Sequence, residues 1–141
     1  MYCLDAIVAA APVLRALAGE ARGVPLDGHL VLLPVTDDLR ADLENRLAAC
    51  SATGPVAHLE ADYFGGVGTQ SARVWRGGEL VLGPLRLEED DPRPPEGTPL
   101  SRALRHLGVA RAHHHDEFAA VALGRHRRTE DWVVTPPTAG A

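Results

Sequence analysis

His58, Glu60 and Asp62 occupy alternate positions of a stretch with strict two-residue periodicity, so a strand there projects all three from one side. Carboxylates set this close can share a proton or hold a cation, and an imidazole beside them can act as base or ligand. That is the chemistry of a metal-assisted or acid–base hydrolase. The ordinary alternative is cross-strand pairing: Arg73 is expected opposite Glu60, which satisfies both charges without any reaction.

The string Tyr63-Phe64-Gly65-Gly66-Val67-Gly68-Thr69-Gln70 has the most specific composition in the chain. Its glycines allow close backbone approach, consecutive amides can form an anion nest, and Tyr63, Phe64 and Gln70 would frame it. The glycines precede a strand, however, and neither GxGxxG nor GxxxxGK[ST] is completed, so no dinucleotide or P-loop site is expected.

Two further clusters carry chemistry by residue type. In His113-His114-His115-Asp116-Glu117 adjacent side chains diverge, so a metal site would need His115 with Glu117, or His126 returned by the fold. Arg125-His126-Arg127-Arg128 is a compact anion-binding patch, but Glu130 and Asp131, or the acidic run Glu88 to Asp91, can neutralise it. Ser71 and Cys50 are nucleophiles by type alone; there is no GxSxG elbow, and Ser71 is expected opposite Asp62.

The elements that position these groups follow from alternation and turn residues. Strands at about 56–63, 70–76 and 79–83 form an antiparallel meander. Treating Gly65-Gly66-Val67-Gly68 as the first loop pairs Glu60 with Arg73, Asp62 with Ser71, His58 with Trp75 and Leu59 with Val74. Gly77-Gly78 reads as a two-residue turn that pairs Arg76 with Glu79, Trp75 with Leu80 and Val74 with Val81. On this reading the Glu60 and Asp62 end of the polar face stays exposed.

Elsewhere, Leu4 to Ala10 is a short strand or the lead into a helix that starts near Pro12 and carries Val13, Leu14 and Leu17 to a stop at Gly19. His29 to Leu33 is an apolar run of the kind buried on both faces of a sheet. A helix from Asp38 to Ala49, capped by Thr36 or Asp37, buries Leu39, Leu43 and Leu47. Another runs from the Thr98 cap through Leu100, Leu104 and Leu107 to Gly108. Asp116 to Leu123 suits a short helix or a strand, and Trp132 pins the end of the chain to the body.

Composition narrows the functions further. All 14 basic residues are arginine, which excludes a Schiff-base or phosphate-loop lysine, and the net charge of -5 argues against a broad nucleic-acid surface. Two isolated cysteines, Cys3 and Cys50, make neither a disulfide scaffold nor a CxxC pair. Asp5 interrupts the early apolar run, so neither a signal peptide nor a membrane span is expected, and the protein reads as cytoplasmic with no cofactor.

The expected fold class is α+β, a small mixed sheet covered by short helices. Residues 1–134 would form one domain with an exposed acidic, Pro-rich loop at 88–97, and 135–141 a disordered tail. The expected function is a noncatalytic protein-interaction module. Its surface would comprise Tyr63, Phe64, Gly65, Gly66, Gly68, Gln70 and Arg73, joined by Arg125, Arg127 and Arg128. The alternatives are the hydrolase using His58, Glu60 and Asp62 or the 113–126 histidines, and a structural subunit that completes a thin core by forming a homodimer.

Overall fold

The computed structural model describes residues 1–18, 23–64 and 67–132. Nine-residue β1 (Tyr2–Ala10) is followed by α1 (Ala11–Ala18), β2 (Val24–Pro25) and β3 (Leu30–Pro34). Then come α2 (Asp37–Arg40), α3 (Leu43–Cys50) and the meander β4 (Val56–Phe64), β5 (Val67–Arg76), β6 (Glu79–Leu87). The helices α4 (Pro99–His106) and α5 (Glu117–Ala120) follow, with 3-10 turns at Leu123–Arg125 and Thr129–Trp132.

The fold is α+β: six strands form one open sheet in the order β2-β3-β1-β4-β5-β6. Every pairing is antiparallel. The expected meander is present and is extended on its β4 side by β1, the early apolar run, which resolves as a strand. Because β3 and β4 flank β1 and both oppose it, the link between them must cross β1; α2 and α3 are that link.

Alternation along the strands divides the core in two. Leu4, Ala6, Val8, Ala57, Leu59, Ala72 and Val74 point to one face, where Leu100, Leu104, Leu107, Leu123 and Trp132 cover them. Ile7, Ala9, Val56 and Trp75 point to the other, under Leu14 and Leu17 of α1, Leu39 of α2 and Leu43 and Leu47 of α3. The leucine stripe read over 38–49 is therefore buried, but one continuous helix does not carry it. Ala41 closes α2 in an extended conformation, and Asp42 adopts a left-handed one (φ 59°) at the start of α3, without a capping side-chain hydrogen bond.

The α4 cap is as expected, with Thr98 Oγ1 accepting the Ser101 amide at 3.4 Å and Gly108 taking the left-handed stop at φ 90°. Asp116 caps α5, which settles that segment as a short helix. Residues 88–97 form an irregular and mostly exposed connection. Gly19 and the 135–141 tail lie outside the described residues.

The register differs from expectation. His58 faces Arg73, Leu59 faces Ala72, Glu60 faces Ser71 and Asp62 faces Thr69. The shift is two residues, because β4 and β5 extend until Phe64 pairs with Val67 and the connection shrinks to Gly65 and Gly66, which themselves lie outside the described residues. At the second turn Arg76 faces Glu79 and Trp75 faces Leu80 as expected, but Val74 faces Leu82 instead of Val81 across a bulge.

Candidate functional site

The helices on the second face cover only half of it. Across β1, β4 and β5 the side chains there stand in rows: Ala9, Val56 and Trp75; Ile7, His58 and Arg73; Asp5, Glu60 and Ser71; Cys3, Asp62 and Thr69. The first row is buried beneath α1 and α3, whereas the last two are partly or fully exposed. The result is an open half-face with a shallow depression of about 350 Å3, lined by Cys3, Asp5, Glu60, Asp62, Ser71 and Arg86 among others.

His58 marks the boundary. Its side chain is 6% exposed, and its Nε2 lies 2.7 Å from Asp5 Oδ1 and 3.8 Å from Glu60 Oε1. Arg40 Nη2, from α2, donates to the other Asp5 oxygen, Oδ2, at 2.5 Å. Burial by itself would raise the Asp5 carboxyl. The hydrogen bonds and charges of His58 and Arg40 outweigh that and hold it below the ordinary carboxylate range. Asp5, His58 and Glu60 are the one group of potential metal ligands that converges among the described residues.

Asp5 thus takes the place expected for Asp62. The Asp62 carboxylate instead approaches the Cys3 thiol, 3.5 Å away, and burial with the nearby acidic groups raises that thiol above its ordinary pKa. Cys50 is buried and raised to about 11 by burial, so neither cysteine is an activated nucleophile. The signal for Asp5 was present in the sequence as a lone carboxylate within an apolar run. Alternation could place it on a face but could not say that β4 would lie beside it.

The remaining expected site residues scatter. Tyr63 packs half-buried on the first core, and Phe64 points the opposite way and is 78% exposed. They therefore cannot frame one loop together. A Cβ on Gly68 would lie 1.9 Å from the Asp62 carbonyl oxygen, so the close approach that this glycine permits is that of β4 itself. Gln70 Oε1 accepts the Leu100 amide at the start of α4. Arg73 pairs with Glu44 of α3 at 2.7 Å, in place of Glu60.

The arginine cluster is dispersed onto local partners. Arg125 reaches Asp27 at 3.3 Å and lies over the Trp132 ring, and Arg128 approaches Glu130 at 4.0 Å. Arg127 is exposed, and its carbonyl accepts the Cys3 amide. Of the histidines considered for metal, His115 shares a cleft of about 560 Å3 with Glu117, whose carboxylate is engaged by Arg105. His126 packs against Trp132, 4.6 Å between ring centroids. No convergent set of ligands forms from His115, Glu117 and His126 among the described residues.

Among the described residues, no helix is long and apolar enough to cross a membrane. No protein-family model, curated protein or solved structure matches this chain.

Proposed function

We infer that this protein is a noncatalytic binding module that engages a protein partner through the tip of the β4–β5 hairpin and the open half-face beside it. The observation that carries this reading is the cross-strand pair at the tip, Phe64 and Val67, 78% and 55% exposed. An exposed aromatic paired with an exposed aliphatic beside a polar surface matches the apolar centre and polar rim of a protein interface, where Phe is enriched. The adjoining rows present Asp5, Glu60 and Asp62. The fitting partner therefore offers an apolar pocket for Phe64 flanked by basic side chains.

The test compares partners captured from a native lysate by wild type and by Phe64→Ala with Val67→Ser, with circular dichroism to establish that the fold is intact. Selective loss of a captured protein supports the reading. An identical set of captured proteins from a folded variant rejects this surface.

A second reading, self-association as a homodimer, draws on the outer edge of β6, a terminal strand of the sheet that exposes Leu80 and Val81. Mass measured across a hundredfold range of concentration tests it, and a strict monomer dismisses it. The two thiols, both free, accord with a reducing compartment, and a cytoplasmic location belongs to the same proposal.

A further inference from the structure

We propose that Asp5, His58 and Glu60 form a binding site for one divalent transition-metal ion, with zinc as the favoured occupant. The proposal stands on the donors themselves and does not rest on the partner reading, with which it shares the carboxylates of Asp5 and Glu60.

The backbone brings the three donors together. Asp5 and Glu60 are direct cross-strand partners on β1 and β4, and His58 precedes Glu60 by two residues, so all three share a face. Their donor atoms all lie within 4.8 Å of one another. The imidazole is buried among its neighbours, so its orientation is set before any ion arrives and little rotamer freedom remains to be lost.

Existing hydrogen bonds already aim the donor atoms at one another. Arg40 occupies Asp5 Oδ2 and leaves Oδ1 turned towards His58 Nε2. A carboxylate ligand oriented by an outer hydrogen bond is the usual arrangement in metal centres. Two donors bound at about 2.1 Å in tetrahedral geometry stand roughly 3.4 Å apart. The 2.7 Å separation of Nε2 from Oδ1 must widen to accept an ion, and the 3.8 Å separation from Glu60 Oε1 must close slightly. Glu60 is 44% exposed and has the freedom to do so.

Charge points the same way. Asp5, Glu60 and Asp62 lie on this open surface, where Arg40 pairs with Asp5 and Arg86, bound to Glu88, lines the same depression within electrostatic reach of Glu60; Arg73 is committed to Glu44. One nitrogen and two oxygen donors suit a borderline ion such as zinc better than magnesium or calcium, which prefer oxygen alone. Binding displaces the proton held between His58 Nε2 and Asp5 Oδ1: it passes through solvent to Nδ1, where the neutral ring carries its one N–H, and the Nε2 lone pair goes to the metal. The depression that Asp5 and Glu60 line leaves coordination positions on their side open to water, with His58 buried behind them.

The experiment is calorimetric titration of untagged protein with zinc chloride, paired with thermal melts. A variant with His113, His114 and His115 all replaced by alanine removes the competing histidine run. The expected result is one equivalent bound by wild type and by that triple variant with equal affinity, with a higher Tm when loaded. Glu60→Gln should weaken binding at least tenfold, and His58→Gln should abolish that equivalent. Glu60→Gln changes only a half-exposed side chain and keeps the test decisive if the His58 variant fails to fold. Absence of binding, binding untouched by Glu60→Gln, or binding lost with the 113–115 histidines would each overturn the proposal.

Discussion

Asp5 Oδ1 on β1 and His58 Nε2 on β4 stand 2.7 Å apart although 53 residues separate them along the chain. The contact closes the covered half of the second sheet face and opens the uncovered half. On one side of it Ile7, Val56 and Trp75 lie under helices; on the other Glu60 and Asp62 meet solvent.

That contact sets a pH dependence. The Asp5 carboxyl is held below its ordinary value in the folded state, so its contribution to stability is fully present above the unfolded value of about 4 and is lost as pH falls through the folded one. Urea denaturation of wild type from neutral pH down to about pH 2.5 should show a steeper loss below about pH 4 than the same series on Asp5→Asn. Parallel profiles would mean that Asp5 carries no such linkage.

The hairpin makes a second test of neighbouring residues on opposite faces. Tyr63 packs on the first core, so Tyr63→Ala should lower stability by about 1–3 kcal/mol, whereas the exposed Phe64→Ala should stay within about 0.5 kcal/mol of wild type. Chemical denaturation of both variants checks it. Equal losses would place the two rings in similar surroundings and remove the basis for treating Phe64 alone as the anchor.

Gly68 separates a structural glycine from a ligand-cradling one. A methyl group there meets the Asp62 carbonyl and the Tyr63 Cα, so Gly68→Ala should destabilise by about 1–3 kcal/mol with no ligand present. Gly124, whose added Cβ would make only ordinary contact with the Phe118 ring, serves as the control, with an expected change within about 0.5 kcal/mol. Unfolding curves for the two alanine variants that superimpose would remove the steric argument.

Trp132 is 1% exposed, and its indole N–H is the one buried side-chain polar atom without a partner among the described residues. Trp132→Ala should cost about 3–5 kcal/mol by opening a cavity against Leu123 and its neighbours. Trp132→Phe should cost clearly less, because the N–H it deletes makes no hydrogen bond that would be lost. Similar midpoints for the two variants would show that the cavity is not what matters.

The faces of the β4 and β5 residues were legible from alternation, as were the Gly77-Gly78 turn, the Thr98 cap and the leucines of α2, α3 and α4. These depend on local periodicity and on backbone conformations that few residues tolerate. In β6 the bulge turned Leu82 to the Val74 face, where alternation had put Val81. The β4–β5 register was not legible, for a definite reason. Sliding one strand by two residues returns every side chain to the same face, so the apolar matches that support one register support the other almost equally. The outcome turned on Val67 and Gly68 joining β5, which the steric fit of Gly68 against β4 allows.

For the candidate site the division runs the same way. Sequence alone determined that His58, Glu60 and Asp62 share a surface and that Asp5 is an odd carboxylate among apolar neighbours. Only the tertiary structure decided that Asp5, and not Asp62, completes the group, and that Arg73 turns to Glu44 instead of Glu60. Periodicity is a property of one strand, whereas which strand lies beside it depends on how the whole chain buries both faces of the sheet. The short helices end before the Asp5 row, and that leaves these donors reachable from water.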